Sequence, residues 1–334
     1  MISVLHLGLG AIGKATIEAL LAQGKSVRVV GAVDLNPLNV GHPLAAILRR
    51  SDAPEVTVAG SIADALKWAG KRQPSVATVT TCSRTEELRP VAQELIDAGI
   101  HVVSSCEELA WPTLRAPRIA AALNRRAKAK GVALLGTGVN PGFAMDAFAL
   151  ACTAPCTSVR HIKIIRSLDA SKRRYQLQKK IGAGMTVTEV KRLIRTGQIG
   201  HVGLQESVAM IAAGLGWKLD AIQEKFDPVV ADHRVQSEFF QIEPGRVRGM
   251  WMRAAGIVAG KKRIDLDLFM AFDADTFDEV IIDGDPNLLV RTKSGFPGES
   301  ATIGLLANCV RVMPTLQPGL RTMLDVLRVR GVGA

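Results

Sequence analysis

Val4-Leu5-His6-Leu7-Gly8-Leu9-Gly10-Ala11-Ile12-Gly13 is followed by apolar Ile17, Leu20 and Leu21 and by a second apolar run, Val27 to Val33, that closes on Asp34. The stretch reads as strand, glycine-rich turn, helix, strand and acid, the fingerprint of a dinucleotide-binding unit. In that reading Gly8 permits the tight turn, Gly10 lets a pyrophosphate approach the backbone, and Gly13 lets the helix pack on the sheet. The helix start at Ala11 and Ile12 offers N–H groups and a positive dipole end to phosphates. Asp34 lies 21 residues after Gly13, where an acid for the ribose hydroxyls is expected. An ordinary βαβ turn also uses glycines, but it does not require all four flanking features. Leu35, Asn36 and Pro37 provide no Arg for a 2′-phosphate, and an acid repels one, so NAD is favoured over NADP.

Outward from this unit the first half alternates. Helices are expected at 44–49, 62–68, 85–98 and 119–130, and strands at 56–58, 76–81, 101–105 and 131–135. Such alternation implies a parallel sheet with right-handed crossovers, whose ligands sit beyond the strands' carboxyl ends. Three loops leave those ends, at 80–83, 104–111 and 136–143, which makes Thr81, Cys82 and Ser105 further cofactor-binding candidates. The second half differs. A helix at 143–152, a strand at 159–166 and a helical region at 187–215 precede strand-like runs at 235–242, 247–258, 263–272, 279–282 and 288–292. Close succession of strands argues a mixed or antiparallel sheet. A helix at 301–313 and a segment at 320–327 follow. The expected class is α/β: an N-terminal Rossmann domain with a parallel sheet plus a C-terminal α+β domain. The domains are placed at 1–140 for the dinucleotide, 141–300 for substrate and oligomerisation, and 301–334 for a helical segment packing back on the first domain.

With 334 residues, two domains are the default, and a 48% hydrophobic content excludes disorder. No apolar run reaches the roughly 18 residues of a membrane span, and no basic stretch precedes the first strand, so a cytoplasmic protein without a signal peptide is expected. The five cysteines are odd in number and scattered. Cys152 and Cys156 lack a second ligand pair, so no metal site is expected. The net charge of +11 is concentrated in residues 159–200, with eleven Lys or Arg against two acids. Without interleaved stacking aromatics (Tyr175 is alone there), a solvated basic face is preferred over a nucleic-acid site.

Two loops carry candidate chemistry. Cys106-Glu107-Glu108-Leu109-Ala110-Trp111-Pro112 follows a strand at the sheet's carboxyl edge. Either carboxylate there is a candidate general base, its pKa raised by desolvation beside Leu109 and Trp111; the plainer alternative is a pair of acids at a helix start. Gly136-Thr137-Gly138-Val139-Asn140-Pro141-Gly142 fixes a backbone path, and Asn140 can both donate and accept. A crossover turn between domains would need the same glycines. Arg166, Lys180, His201, Glu206, Asn287 and Asn308 each read, taken alone, as surface or capping residues.

Together, GLGAIG at 8–13, CEELAWP at 106–112 and GTGVNPGF at 136–143 resemble the 2,4-diaminopentanoate dehydrogenase and native amine dehydrogenase family, of dihydrodipicolinate reductase-like fold. The likeness continues in order through RSLDASKRR (166–174), QKKIGAG (178–184), IGHVGLQES (199–207), EPGRVRG (243–249), GDPN (284–287) and QPGL (317–320). It implies NAD(P)-dependent oxidative deamination of a small amine to a ketone and ammonia, or the reverse reductive amination. It places the catalytic acid on the Glu107–Glu108 pair, favouring Glu107 with Glu108 as the alternative. Asn140, Met145 and Arg166 fall at pocket-lining positions of the resemblance, and a homodimer is implied. One segment departs: Ser294-Gly295-Phe296-Pro297-Gly298-Glu299 stands where diaminopentanoate-type members carry a GGIHGD-like sequence. The histidine position is Pro297, so Phe296, Pro297 and Met145 suggest a more apolar pocket, suited to a simple alkyl amine or ketone. Two alternatives are a reductase of another small imine, whose His-His…Lys segment is absent, and a non-enzymatic NAD-sensing or nucleic-acid-associated protein.

Overall fold

The computed structural model describes residues 1–327. From the N-terminus, β1 (Ile2–Leu7), α1 (Ala11–Ala22), β2 (Val27–Val33), α2 (Leu44–Leu48), β3 (Val58–Ala59) and α3 (Ile62–Ala69) are followed by β4 (Val76–Val79), α4 (Thr85–Asp97), β5 (His101–Ser104), α5 (Pro117–Ala129) and β6 (Ala133–Gly136). The next stretch forms a separate unit, Phe143–Phe296. It holds α6 (Ala147–Cys152), β7 (Ser158–Asp169), α7 (Tyr175–Lys180), α8 (Val187–Arg195), α9 (Leu204–Gly214) and β8 (Ala221–Val230). The short β9 (Val235–Gln236) and β10 (Gln241–Ile242) lead to β11 (Val247–Val258), β12 (Lys261–Ala271), β13 (Phe277–Asp285) and β14 (Leu288–Thr292). The chain then returns to the first unit, Met1–Gly142 with Pro297–Leu327, through α10 (Gly298–Val312), β15 (Gly319–Arg321) and α11 (Met323–Val326). Residues 328–334, part of the C-terminal segment expected at 301–334, lie outside the described residues.

The first unit is a seven-stranded parallel sheet of order β15-β6-β5-β4-β1-β2-β3. Its strands are apolar almost without interruption because helices cover both faces. α4 buries Leu88, Ala92, Leu95 and Ile96 completely, one stripe of a 3.6-residue period. α5 does the same with Ala120, Leu123 and Ala127 while its arginines and lysines face outward. The expected parallel sheet is therefore present, with one addition: residues 319–321 form a seventh strand. Three residues are too few to show a period. Their place is set by long-range bonds instead, Gly319 N–H to Val132 O (2.8 Å) and Leu320 N–H to Asn124 Oδ1 (2.9 Å).

The second unit is built on a six-stranded mixed sheet, β14-β13-β7-β12-β11-β8, in which only β7 and β12 run parallel. On β11, Met250, Met252 and Ala254 are buried while Trp251, Arg253 and Ala255 alternate outward. α9 packs on this sheet, and a Cβ on Gly256 would lie 2.9 Å from Val208 Cγ1. Four sequence expectations change here. β8 was not anticipated, because Glu224, Lys225, Asp227 and Pro228 do not look like a strand; they are tolerated because β8 is at the sheet edge. The run 235–242 is a hairpin of two two-residue strands. The region 187–215 breaks into two helices at Gly197, Gly200 and Gly203, all with positive φ. The helix expected from 143 starts only at Ala147, where Asp146 Oδ1 caps the Ala147 N–H (2.5 Å) and Oδ2 accepts from Ser207 on α9 (2.7 Å).

Because Asn124 alone among α5 side chains is bonded to the β15 backbone among the described residues, Asn124→Ala should lower the unfolding free energy by about 1–2 kcal/mol. Urea titration should show an earlier midpoint with an unchanged slope.

Candidate active site

The glycine turn is built around one carbonyl. Gly8, at φ +94°, donates its N–H to Val33 O (2.9 Å), and its own carbonyl accepts from His6 Nε2 (2.9 Å) and Thr80 Oγ1 (3.1 Å). A Cβ on Gly13 would sit 1.7 Å from that same oxygen, so only glycine fits. Gly10, by contrast, has nothing within 4 Å of its would-be Cβ: it opens onto free space at the start of α1. The first-turn N–H groups of Ala11, Ile12 and Gly13 have no acceptor within the helix. Thr81 lies over the turn, its Cγ2 2.9 Å from a would-be Cβ on Gly8. Asp34, just beyond β2, accepts from Leu9 N–H (2.7 Å), Asn36 N–H (2.9 Å) and Asn39 Nδ2 (3.0 Å). Burial pushes its carboxyl up, but these donors outweigh that and hold it below its ordinary pKa.

The other two loops meet at the carboxyl edge of the same sheet. Ser105 N–H donates to Val79 O (3.1 Å), Ser104 Oγ to Val79 O (3.0 Å) and Thr137 N–H to Ser104 O (2.9 Å). A Cβ on Gly136 would fall 2.4 Å from the Leu109 carbonyl carbon, so this glycine is what lets the Glu107–Ala110 turn lie against the end of β6. The two glutamates have different surroundings. Glu108 Oε2 accepts the Thr85 N–H (2.8 Å) at the first residue of α4, and Glu108 N–H donates to Ser83 O (3.2 Å). Glu108 thus caps a helix, which favours a negative charge. Glu107 is half-buried one residue earlier, its charge acting on Cys82 and Cys106. Those two thiols hydrogen-bond each other, and that bond, then burial, pushes Cys106 up. Asn140 is buried, and Gly142 at φ +121° folds the loop back so that its would-be Cβ lies 2.6 Å from Gly138 N. Pro297 is exposed and caps α10, whose Thr302 Oγ1 accepts the Val139 N–H (3.1 Å).

In the second unit, Met145 is fully buried and Arg166 is 1% exposed. The Arg166 guanidinium is taken up by Asp278 (2.6 and 2.8 Å) and by Phe296 O (2.7 Å). The Phe296 ring meets Phe143 and Phe148 edge-on, each at 5.2 Å. Among the described residues no group of three or more His, Cys, Asp or Glu converges as a metal site.

Sequence reasoning missed His6, Thr80, Thr302 and Asp278. Only His6 left a trace, as a lone polar residue inside an apolar strand. It is wholly buried, and burial lowers its pKa to about 4. Its neutral ring donates Nε2–H to Gly8 O and accepts from Thr78 Oγ1 at Nδ1 (2.7 Å). Because the folded pKa lies below the unfolded 6.5, the unfolded chain binds the extra proton between those values, and stability falls as pH drops from 6.5 towards 4. The shift corresponds to about 3 kcal/mol at most. His6→Gln should flatten the pH dependence of unfolding in this window relative to the parent chain, as read by denaturant titrations at pH 7 and 4.5.

A family model described as the 2,4-diaminopentanoate dehydrogenase C-terminal domain matches residues 143–332. A 2,4-diaminopentanoate dehydrogenase of Acetoanaerobium sticklandii is 31% identical over 97% of this chain and 93% of its own. The amine dehydrogenase of Mycobacterium smegmatis is similar in fold, with a TM-score of 0.83 at 22% identity over 98% of this chain and 97% of that one. A WlbA dehydrogenase from Bordetella pertussis, solved with NADH and UDP-GlcNAcA, has a TM-score of 0.57 at 17% identity, covering 98% and 93%. The resemblance read from the motifs is borne out: the chain belongs to the 2,4-diaminopentanoate dehydrogenase family and is an oxidoreductase.

Proposed function

We propose that this protein is an NAD(P)-dependent amine dehydrogenase with Glu107 as its general base, interconverting a small amine with the corresponding ketone and ammonia. The observation that carries the assignment within the pair is the helix cap: Glu108 has a structural task at the Thr85 N–H, and the motif resemblance favours Glu107. The residues fit a dinucleotide. Gly10 is open where a pyrophosphate would approach, α1 starts there, and Asp34 stands at the end of β2 for the ribose hydroxyls. When bound, the nicotinamide supplies a two-electron acceptor for the hydride of the amine carbon. Glu107 would take a proton from the substrate ammonium and release it to solvent, then draw one from the water that adds to the imine carbon and pass it to the departing nitrogen; Asn140 would orient that nitrogen by hydrogen bonding. Thr81, Cys82 and Ser105 line the cofactor's path over the strand ends. NAD is favoured over NADP because Asp34 is held ionised and would repel a 2′-phosphate.

The substrate is proposed to be a simple alkyl amine, since Pro297 removes the polar contact of the diaminopentanoate-type segment. No helix among the described residues is long and apolar enough to cross a membrane. A cytoplasmic homodimer completes the proposal. Within the basic stretch 159–200, Arg160, Lys163, Arg166 and Lys172 are paired with Asp283, Asp267, Asp278 and Asp169, which favours a solvated face over a nucleic-acid site.

Glu107→Gln should lower turnover at least about 100-fold while NADH binding, followed by nicotinamide fluorescence, stays within about twofold. Glu108→Gln should keep activity within about threefold. The reverse pattern would transfer the base to Glu108, and two active variants would reject a glutamate base. Asp34→Ser with Leu35→Arg should raise the NADP-over-NAD ratio of kcat/KM at least about tenfold, or about 1.4 kcal/mol. An unchanged ratio would remove Asp34 from the ribose.

A further inference from the structure

Cys82 and Cys106 stand on neighbouring loops, one after β4 and the other after β5, and backbone bonds tie these loops together on either side of them. Ser105 N–H donates to Val79 O (3.1 Å) on the strand side, and Glu108 N–H donates to Ser83 O (3.2 Å) beyond. Thr85 N–H adds a third tie, to Glu108 Oε2 (2.8 Å). Within this frame Cys82 packs against the apolar core cluster that contains Cys106, and the two thiols hydrogen-bond each other. Their surroundings are unequal. Cys106 is 1% exposed, whereas Cys82 is half-buried, its Sγ 3.8 Å from Arg84 O. The hydrogen bond from Cys106 lowers the Cys82 pKa, helped by one from Thr81, against burial and the charges of Glu87 and Glu107. The same thiol–thiol bond, then burial, pushes Cys106 up. An accessible thiol with thiolate character beside a buried, protonated one is the arrangement of an attacking and a resolving cysteine. In Cys152, Cys156 and Cys309, by contrast, burial raises the pKa.

We propose that Cys82 and Cys106 are an oxidisable pair: hydrogen peroxide closes them into a disulfide that weakens cofactor binding, and a dithiol reopens it. In the first step the Cys82 thiolate attacks one peroxide oxygen and the O–O bond breaks. Hydroxide leaves, takes up the proton that Cys82 gave up on ionising, and Cys82 becomes a sulfenic acid. In the second step the Cys106 sulfur attacks the Cys82 sulfur, its proton passes to the departing hydroxyl, and water leaves. Two thiols and one peroxide give one disulfide and two waters; the sulfurs lose two electrons and the peroxide gains them. The ties at Val79 and Ser83 already hold the loops side by side, so closure asks for local movement of the two cysteines rather than of the sheet. It draws on two segments that carry site residues. Thr81, next to Cys82, lies over the glycine turn, its Cγ2 2.9 Å from a would-be Cβ on Gly8, and Glu107 follows Cys106. A bond between their neighbours displaces both.

The full chain, with Cys82→Ser and Cys106→Ala beside it, is treated with hydrogen peroxide and desalted. One portion is blocked with N-ethylmaleimide and mapped by peptide mass spectrometry. A second, unblocked portion is titrated with NADH and followed by nicotinamide fluorescence. The parent chain should yield a peptide pair joined through Cys82 and Cys106, lighter by two hydrogens, with Cys156 and Cys309 still reduced. Its Kd for NADH should rise at least about tenfold and recover on treatment with dithiothreitol. Cys106→Ala lacks the resolving thiol, so Cys82 should gain oxygen instead of a partner. In Cys82→Ser, Cys106 should stay reduced. A parent chain without the 82–106 linkage, under peroxide that oxidises Cys82 in Cys106→Ala, overturns the pair. Oxidation of Cys106 in Cys82→Ser at the parent's rate overturns the assigned roles. Linkage that leaves the NADH Kd within about twofold overturns the effect on the cofactor. The linkage is decided in the parent chain whatever the stability of the variants. Mapping and NADH binding need no amine, so failure of the amine dehydrogenase reading would leave this outcome standing.

Discussion

The carbonyl oxygen of Gly8 accepts a hydrogen bond from a buried neutral imidazole and leaves room for nothing larger than hydrogen on Gly13. Move that oxygen and α1 can no longer lie against β1, and the start of α1 loses its relation to the strand ends. The same oxygen accepts from Thr80, at the end of β4, so two neighbouring strands are fixed to one atom. Burying a histidine costs basicity, and the ring stays neutral because the buried site takes the imidazolium charge away from water.

A second close approach does for the candidate chemistry what Gly13 does for the nucleotide turn. Gly136 lets the Glu107–Ala110 turn touch the end of β6, and Ser104 joins β4, β5 and the 136–142 loop through its hydroxyl, carbonyl and the residues on either side. Backbone contact holds these loops, so their side chains are free to differ in role. Glu108 spends its carboxylate on a helix terminus, and its neighbour does not share that bond.

Much of the first unit was legible because its signals are local. The glycines, the apolar runs and the terminal acid follow one another within a single βαβ unit, and the helices bury clean stripes. What was not legible depends on distant partners. Residues 319–321 are a strand only because Asn124 and Val132 are waiting for them. β8 is charged and contains Pro228, so edge position rather than composition makes it a strand. Arg166 looked like a pocket cation, but its partner is 112 positions away and no spacing rule links them. Three cations of the basic stretch, Arg160, Lys163 and Arg166, likewise find counter-charges on β12 and β13, strands that a window along the chain never samples beside it.

The parallel sheet is discontinuous in sequence, since β15 is supplied only after the whole of Phe143–Phe296 has been traversed. During synthesis, six strands of this sheet leave the ribosome well before the seventh. Until then the outer edge of β6, with Ala133, Leu134 and Leu135 on it, presents unpaired backbone groups on a wholly apolar strand. Such an edge is a template for pairing with another nascent chain. The cell must therefore carry this protein through an interval in which its parallel sheet is nearly complete but unsealed. Arrival of three residues, Gly319 to Arg321, ends it.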